Sequence, residues 1–390
     1  MPIIEPEFME LTGKLDVPAF WAENRLCEGF TTQKPRCAAS FSPDDHWLFE
    51  FMNIPSTLRY YQDKAYRDEL HRQVNAITQA YVGQTFFEED TWQHSPKRIE
   101  NLFGCEFEYH EGGTPWLVPA TADPAEFARI LDCAAQTDMQ TWVLPEVFLA
   151  EWAARQAAGK KMPLLGTGSR GPATIMTSVL SVETTFFWCY DYPDLMARFR
   201  DLLAEKMVEL NTLLRKFSGN TQTGWWITDD NCALFNRELY QEYCVPILEK
   251  VLNALAPGAA PRYQHSDSSM GHLLDYQYEL GIREVNYGPK VDAALIREKM
   301  PAAIINGHIP PFLLRNGSPA EIKTRILADF QKAGQNGGLK VTTAGSLAAG
   351  TGVGRMRWLM QVVQDHCRYG ETPGVSETPG VCTHSTDEPR

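Results

Sequence analysis

The sequence predicts an α/β protein folded as a single (β/α)8 TIM-like barrel. Short apolar runs alternate with longer segments of helical period from Pro35 onward, which is the pattern of repeated βα units. Roughly seven or eight such units fit within 390 residues, a length that α/β barrels with insertions commonly have. Polar residues also follow most of the apolar runs, as expected where strands end near a functional site. An open doubly wound sheet is the alternative architecture.

The predicted strands are the short apolar runs. They are RCAASF (36–41), MPLLGTG (162–168), TGWWIT (223–228), PRYQHS (261–266), REVNYG (283–288), AAIINGH (302–308) and LKVTTAG (339–345). Helices are predicted at about 58–82, 124–136, 146–159, 192–217, 237–255, 270–280, 292–299, 319–334 and 354–368. Asp191 and Gly219 bracket one of these helices as cap and stop, and Ser318 caps another.

Three segments do not show the alternation of strands and helices. Residues 1–34 are predicted to form an N-terminal extension, and the aromatic-rich segment 86–120 is predicted to be an insertion into the barrel domain 35–370. The tail 371–390 repeats ETPGV and is rich in Pro, Ser, Thr and charged residues, so it is predicted to be disordered.

The composition excludes several kinds of partner. The chain has 36 basic and 49 acidic residues, a formal net charge of -13, and no run of five Lys or Arg. We therefore expect neither nucleic acid nor a membrane as a partner. The N-terminus lacks the pattern of a secretory signal, and no apolar stretch approaches a bilayer span, so a cytoplasmic location is predicted. Nine scattered cysteines without a CxxC pair argue against a disulfide framework, although one could be a metal ligand.

Acids, amides and histidines gather after five predicted strands. They are Ser42, Asp44, Asp45 and His46; Asp229 and Asp230; His265 and Asp267; Asn286 and Tyr287; and Asn306 and His308. Any one Asp, Ser or Asn among them has helix capping as its alternative role. Histidine is a poor N-cap, so His265 is the stronger candidate for a site residue.

A glycine pattern, Gly166-Thr-Gly168-Ser-Arg-Gly171, has the GxGxxG form of a dinucleotide-binding loop. Pro172 follows the last glycine, however, and Asp191 introduces a helix instead of ending a second strand. Nucleotide binding is therefore disfavoured.

Five segments resemble, in order, the successive blocks of the uroporphyrinogen decarboxylase superfamily. They are RGPATIMTSVL (170–180), DDNCALFNRELYQEYCVPILEKV (229–251), QHSDSSMGHLLDYQYELGIREVN (264–286), INGHIPPFLLRNGSPAEI (305–322) and LKVTTAGSLAAGTGVGRMRWLMQVVQDHCRYG (339–370). SFSPDDHWLFEF (40–51) resembles the opening strand of anaerobic members. The resemblance implies a TIM-like barrel with one of two chemistries, porphyrinogen decarboxylation without a cofactor or zinc-dependent methyl transfer involving a corrinoid.

Decarboxylation of a polyanionic porphyrinogen is disfavoured by the residues after the first strand. True decarboxylases carry an RQAGR arginine cluster there, whereas this chain reads AASFSPDDHW. Asp44 and Asp45 would repel substrate carboxylates in a partly desolvated cleft.

The resemblance also implies a ligand set for zinc. The HxC of coenzyme M methyltransferases is His265-Ser266-Asp267 here, and the last strand, TTAGSLAAG, has no cysteine. The carboxylate-x14-carboxylate-x20-His spacing of corrinoid-linked O-demethylases falls on Asp229, Cys244 and His265, all of which can bind zinc. Asp230 is an alternative to Asp229, Asp267 could supply a missing ligand, and Cys244 has a core position as its alternative role.

By this resemblance, the chain is expected to be a zinc-dependent methyltransferase that moves a methyl group between a small methoxy or methylamine compound and a corrinoid (cobalamin) on a partner protein. The candidate residues divide by role. His308, Glu183 and Asp44 are catalytic candidates, and Asp267, Asp230, Asn286, Tyr287 and His46 are candidates for substrate binding. The alternatives are a metal-free decarboxylase of a tetrapyrrole or smaller acid, and a non-catalytic tetrapyrrole or corrinoid binder. The substrate, the direction of transfer and the oligomeric state stay open.

Overall fold

The computed structural model describes residues 3–370, so the predicted disordered tail lies outside the described residues. The strands are β1 Ala38–Ala39, β2 Glu106–Glu108, β3 Trp116–Val118, β4 Gly168–Arg170, β5 Trp225–Thr228, β6 Arg262–Ser266, β7 Glu284–Tyr287, β8 Ile304–Ile309 and β9 Leu339–Thr343. Seven of them form one parallel sheet in the order β1-β9-β8-β7-β6-β5-β4. This confirms the predicted α/β class and parallel sheet, while closure by an eighth strand stays a prediction.

The α-helices are α1 Pro6–Leu11, α2 Val17–Asn24, α3 Asp45–Met52, α4 Thr57–Gln62, α5 Lys64–Val82, α6 Ile99–Leu102, α7 Pro124–Gln136, α8 Met139–Trp142, α9 Glu146–Ala157, α10 Pro172–Leu180, α11 Val182–Asp191, α12 Pro193–Ser218, α13 Arg237–Leu239, α14 Val245–Leu255, α15 Leu274–Glu279, α16 Ala293–Lys299, α17 Pro311–Asn316, α18 Pro319–Asp329 and α19 Val353–His366. Each of the nine predicted helical segments overlaps an observed α-helix, and further helices such as α3, α10 and α11 lie outside the predicted segments. Single π-helical turns, Tyr240–Cys244 and Phe330–Gly334, continue α13 and α18.

The capping residues explain several of these bounds. Gly219 ends α12 in the left-handed conformation with φ 68°, as predicted. Ser318 begins α18 through a capping box with Glu321. Asp191 is not the cap of α12 as predicted: it is the last residue of α11, and Tyr192 precedes α12 instead. Helix α11 continues through Asp191, and the periodic pattern of apolar residues does not exclude such a continuation.

The register of the sheet determines which side chains share the inner face. Thr228 lies opposite His265, and His265 lies opposite Asn286. Because neighbouring residues of a strand point to opposite faces, Ile227 and Gln264 point outward, where both are buried. The inner face is therefore polar, and the outer face packs against the helices.

One continuous hydrophobic core joins the sheet to the surrounding helices. It includes Phe8 of α1 and Phe20 of α2, so the N-terminal residues contribute to the packing around the sheet. None of the helices in residues 3–370 combines the length and the apolarity that a bilayer span requires.

The aromatic-rich segment 86–120 contains the antiparallel hairpin β2–β3. Its aromatic residues serve different purposes. Phe103 is fully buried in the core, and Trp92 packs against Phe148 with ring centroids 5.6 Å apart. Trp116 on β3 is 69% exposed and lines a cavity described below.

Candidate functional site

Asp230, His265 and Asp267 lie together at the carboxyl ends of β5 and β6. His265 Nε2 is 3.7 Å from Asp230 Oδ1 and 3.5 Å from Asp267 Oδ1. The backbone N–H of Asp267 also donates to Asp230 Oδ1 at 2.8 Å, which connects the two loops. We call these three residues the acid–histidine cluster.

Strand geometry explains why these three residues meet. Thr228 and His265 are opposite each other in the parallel ladder, so the next inward positions along the two strands are Asp230 and Asp267. Both carboxylates are about half exposed, at 51% and 54%, whereas the His265 side chain is only 17% exposed. The cluster therefore combines a largely buried imidazole with two half-exposed carboxylates.

Asn286 selects the tautomer of His265. The Asn286 Oδ1 accepts from the backbone N–H of Gly345 at 2.8 Å, and its Nδ2 donates to the Thr343 carbonyl at 3.2 Å. With the amide oriented this way, Oδ1 lies 3.2 Å from His265 Nδ1, which must be the protonated donor nitrogen. The lone pair of neutral His265 is then on Nε2, directed towards the two carboxylates.

The electrostatics of the cluster favour a cation. Burial lowers the pKa of His265, but the hydrogen bond and charge of Asp267 and the charge of Asp230 outweigh it, and the pKa is raised overall. Two acids facing one imidazole thus stabilise a proton, and a metal ion would compete for the same nitrogen.

The donor set fits zinc. Tetrahedral zinc with nitrogen and oxygen ligands at about 2.1 Å requires ligand atoms separated by about 3.4 Å. The two measured separations, 3.5 and 3.7 Å, are close to that value, and all three ligand atoms lie within 4.8 Å of one another. His265 also has the hydrogen-bonded remote nitrogen typical of metal-ligating histidines. Asp230, His265 and Asp267 would hold the ion and leave a fourth position open.

Asp229 points away from this cluster and is fully buried. Its Oδ1 accepts from the backbone N–H of Thr174 at 2.8 Å, which ties β5 to the start of α10. Gly171 lies so close that an added Cβ would be 2.3 Å from the Asp229 carboxyl carbon. Burial raises the pKa of Asp229 to about 7.

Cys244 is also fully buried, at the end of the π-helical turn before α14. Burial raises the pKa of its thiol well above the usual value, which favours the protonated form that does not bind metals. Within residues 3–370, the ligand atoms of Asp229, Cys244 and His265 do not come together as a group. The structure instead brings His265 together with Asp230 and Asp267, the two alternatives that the sequence offered.

Two other predicted residues are buried in the parallel sheet. The Tyr287 hydroxyl donates to Gln264 Oε1 at 3.0 Å on the outer face of the sheet. His308 is fully buried, and the charges that act on it are Arg325, Asp292 and Lys332. Burial, followed by the charge of Arg325, lowers the pKa of His308 to about 4, so the imidazole is neutral near pH 7.

The remaining predicted residues lie on helices. Asp44 caps α3 by accepting from the backbone N–H of Trp47 at 2.9 Å. His46 is exposed on the same helix, and Glu183 is exposed in the first turn of α11. None of the three belongs to the acid–histidine cluster.

Two cavities adjoin the cluster. The interior cavity, about 460 Å³, is lined by inward residues of the sheet that include Tyr263, His265 and Asn286. The side cavity, about 630 Å³, lies between the β2–β3 hairpin and α10. Its lining includes Asp230 and Arg170, so a ligand in the side cavity would reach the cluster at Asp230.

Arg170 and Arg98 were not predicted as site residues. The sequence did contain a signal for Arg170, because β4 ends at this residue and strand ends carry function in such barrels. The predicted strand stopped at Gly168, however, so Arg170 fell within the glycine pattern. Gly168 itself lies against Trp226, where an added Cβ would be 2.1 Å from the ring.

Comparison with known proteins identifies a family and solved structures of similar fold. Residues 99–366 match the family model of uroporphyrinogen decarboxylase (URO-D). A solved methyltransferase from Methanosarcina mazei is similar in structure, with a TM-score of 0.55 at 14% sequence identity, covering 89% of this chain and 97% of that protein. At this identity the similarity concerns the fold. No curated protein sequence matches the chain.

Proposed function

Because the chain belongs to the uroporphyrinogen decarboxylase family, we propose that it is a zinc-dependent methyltransferase moving a methyl group between a small methylated compound and a corrinoid protein. The observation that supports this most is the acid–histidine cluster, whose spacing and tautomer suit zinc. The fold of the methyltransferase from Methanosarcina mazei agrees with it. We further propose that the barrel domain spans 35–370 after the extension 1–34, and that its sheet closes with an eighth strand.

Each residue of the site has a distinct role in this proposal. Asp230, His265 and Asp267 would hold the ion, and Asn286 keeps the His265 lone pair directed at it. Bound zinc would polarise the heteroatom that carries the methyl group and make it a better leaving group. Asp230 borders the side cavity and His265 borders the interior cavity, so substrate and corrinoid could approach from different directions.

The decarboxylase alternative has less support. Decarboxylation of a polyanion needs cations where β1 ends, and Asp44 and Asp45 stand at that point. Asp45 accepts from the hydroxyls of Tyr60 and Tyr61 at 3.0 and 3.2 Å, which stabilises its negative charge. An acidic first loop suits a cation site better than a carboxylate site.

Metal analysis of the purified protein tests the proposal. Zinc-loaded wild type should contain about one zinc per chain, and His265→Ala should contain none. Asp230→Asn should lose most of the metal, because the variant removes one of three ligands. A folded wild type without zinc after incubation with excess zinc would contradict the proposed mechanism.

Two matched variants distinguish the ligand sets. Asp229→Asn and Cys244→Ala change the ligands that the sequence spacing implied, and both should keep zinc at the wild-type level if Asp230 and Asp267 are the ligands. Methyl transfer to a Co(I) corrinoid, measured with a series of methoxy and methylamine compounds, then tests the reaction itself.

A further inference from the structure

We infer that Arg98 and Arg170 form an anion subsite in the side cavity, so that the methylated substrate carries a negatively charged group. This inference rests on the proposed function for the methyl transfer, but the binding subsite itself can be tested alone. It selects between the two substrate types considered above, because a methylamine is a cation near neutral pH.

The two arginines come from different parts of the chain. Arg170 is the last residue of β4 and lies opposite Thr228 in the ladder, so it shares the inner face with His265. Arg98 directly precedes α6 and lies over the Phe107 ring, 4.9 Å from the centroid. Both guanidinium-bearing residues line the side cavity together with Asp230.

The charges in the cavity leave room for an anion. Arg170 pairs with Glu100 at 3.3 Å, but Glu100 is only 3% exposed and satisfies one side of the guanidinium, while Arg170 itself stays 34% exposed. None of the carboxylates in residues 3–370 forms an ion pair with Arg98. Asp230 is the acid in the lining of the side cavity, and in the proposed function its carboxylate is a zinc ligand, so the two arginines supply the positive charge at the other part of the lining.

The shape of the side cavity suggests how an anion would be bound. Guanidinium groups bind carboxylates through two parallel hydrogen bonds, and partial burial strengthens these bonds. Phe107 and Trp116 on the hairpin offer aromatic surface for a flat apolar body. An anion held by the arginines would extend its other end towards Asp230.

Three probes with the same ring test the subsite. Benzoate, benzamide and benzamidine differ chiefly in charge, which is negative, neutral and positive respectively. Calorimetric titration of the zinc-loaded protein should show benzoate binding at least about tenfold more tightly than benzamide, because a charge-assisted hydrogen bond is worth roughly that factor. Benzamidine should bind most weakly.

Variants assign the preference to the arginines. Arg98→Gln and Arg170→Gln should each reduce the preference for benzoate, while their affinity for benzamide changes little. Arg170→Lys keeps the charge and the pairing with Glu100, so it should fold normally and retain part of the preference. Arg198→Gln is the matched control and should behave as wild type, because Arg198 on α12 forms a surface ion pair with Asp132 on α7.

The outcomes separate the subsite from the methyl transfer. Equal affinity for benzoate and benzamide, no benzoate binding at millimolar concentration, or a preference that survives in both glutamine variants would overturn the subsite. Zinc is measured in the same samples. If zinc is absent but the preference depends on Arg98 and Arg170, the anion subsite stands and the zinc-dependent mechanism fails.

Discussion

At the scale of a single residue, Asn286 has two roles. It holds the loop after β9 through Gly345 and fixes the orientation of His265 at the same time. Because its Oδ1 already accepts from a backbone N–H, it cannot rotate its amide to present a donor to His265 without losing that bond. The tautomer of the proposed ligand therefore depends on the backbone at the end of β9, which lies two strands from β7 in the sheet.

Removal of this contact should weaken metal binding without removing a ligand. We expect Asn286→Ala to lower zinc affinity by about 10- to 100-fold, which is typical for the loss of a partner that orients a ligating histidine. Competition with a chromophoric chelator measures the affinity. Asn306→Ala is the control, because Asn306 lines the same cavity but bonds to Glu284 and does not contact His265. Equal effects of the two variants would argue against the orienting role.

His308 should make stability depend on pH. Its pKa is about 4 in the folded protein, against 6.5 for an ordinary histidine, so the unfolded chain binds the proton more readily. Its contribution to stability is complete above about pH 6.5 and is lost as the pH falls towards 4. At pH 5 the loss should be about 2 kcal/mol.

Urea unfolding at pH 7 and pH 5 checks this, with His308→Gln for comparison. The variant should lose less stability than wild type between the two pH values. Arg325, Asp292 and Lys332, which act on His308, are unchanged in both proteins, as is Asp329, whose pKa burial raises to about 6. The difference between the losses of stability of wild type and variant therefore isolates His308. Equal losses would contradict the buried neutral imidazole.

The ligand set shows how far residues could be predicted from the sequence. His265 and Asp267 could be paired from the sequence, since residues two apart in a strand share a face. The choice between Asp229 and Asp230 could not, because it depends on the register between β5 and β6, which one sequence does not reveal. The spacing rule selected Asp229, whereas the alternation of faces places Asp230 beside His265.

At the scale of elements, periodicity predicted the strands of the parallel sheet and most long helices, but not the β2–β3 hairpin or helices such as α3 and α10. Each predicted strand overlaps an observed one, because short apolar runs between helical segments have few other interpretations. The turn Tyr240–Cys244 was hidden within a predicted helix at 237–255, since a π-helical turn changes hydrogen bonding without changing the apolar pattern. It is also the turn that contains Cys244.

The side chain of Glu5 is one of the contacts between the N-terminal segment and the last helix. Glu5 accepts from the backbone N–H groups of Gly352 and Gly354 at 3.1 Å each and pairs with Arg355 at 3.1 Å. These N–H groups lie at the start of α19, where a carboxylate also interacts favourably with the helix dipole. Glu5 thus acts as a cap supplied from a distant part of the sequence.

Glu5→Ala should destabilise the protein by about 1–2 kcal/mol, the usual cost of losing a helix cap. The midpoint of urea unfolding measures the change. Glu10→Ala, an exposed position on the same segment, is the control and should change stability by less than about 0.5 kcal/mol. If both variants behave alike, the cap at α19 does not contribute as the contacts suggest.

At the scale of the whole molecule, the candidate site and the core are separate. The acid–histidine cluster lies at the carboxyl ends of β5 and β6, and two of its three side chains are half exposed. The core consists of apolar residues on the outer face of the sheet and on the helices, and it contains none of these three residues. We therefore expect the fold not to depend on a metal ion, in contrast to small domains that fold around structural zinc.

Removal of zinc should leave the protein folded and only lower its thermal stability. Chelation should not change the far-UV circular dichroism spectrum, because the sheet and helices pack without the ion. Zinc at 100 times its Kd stabilises a folded protein by about 2.7 kcal/mol, which for a chain of this size is a shift of a few degrees in Tm. Asp267→Asn should show a much smaller shift with zinc, and Cys244→Ala should show the full shift. Unfolding on chelation, or an equal loss of the shift in Cys244→Ala, would mean that the ion lies within the core and not at the open ends of β5 and β6.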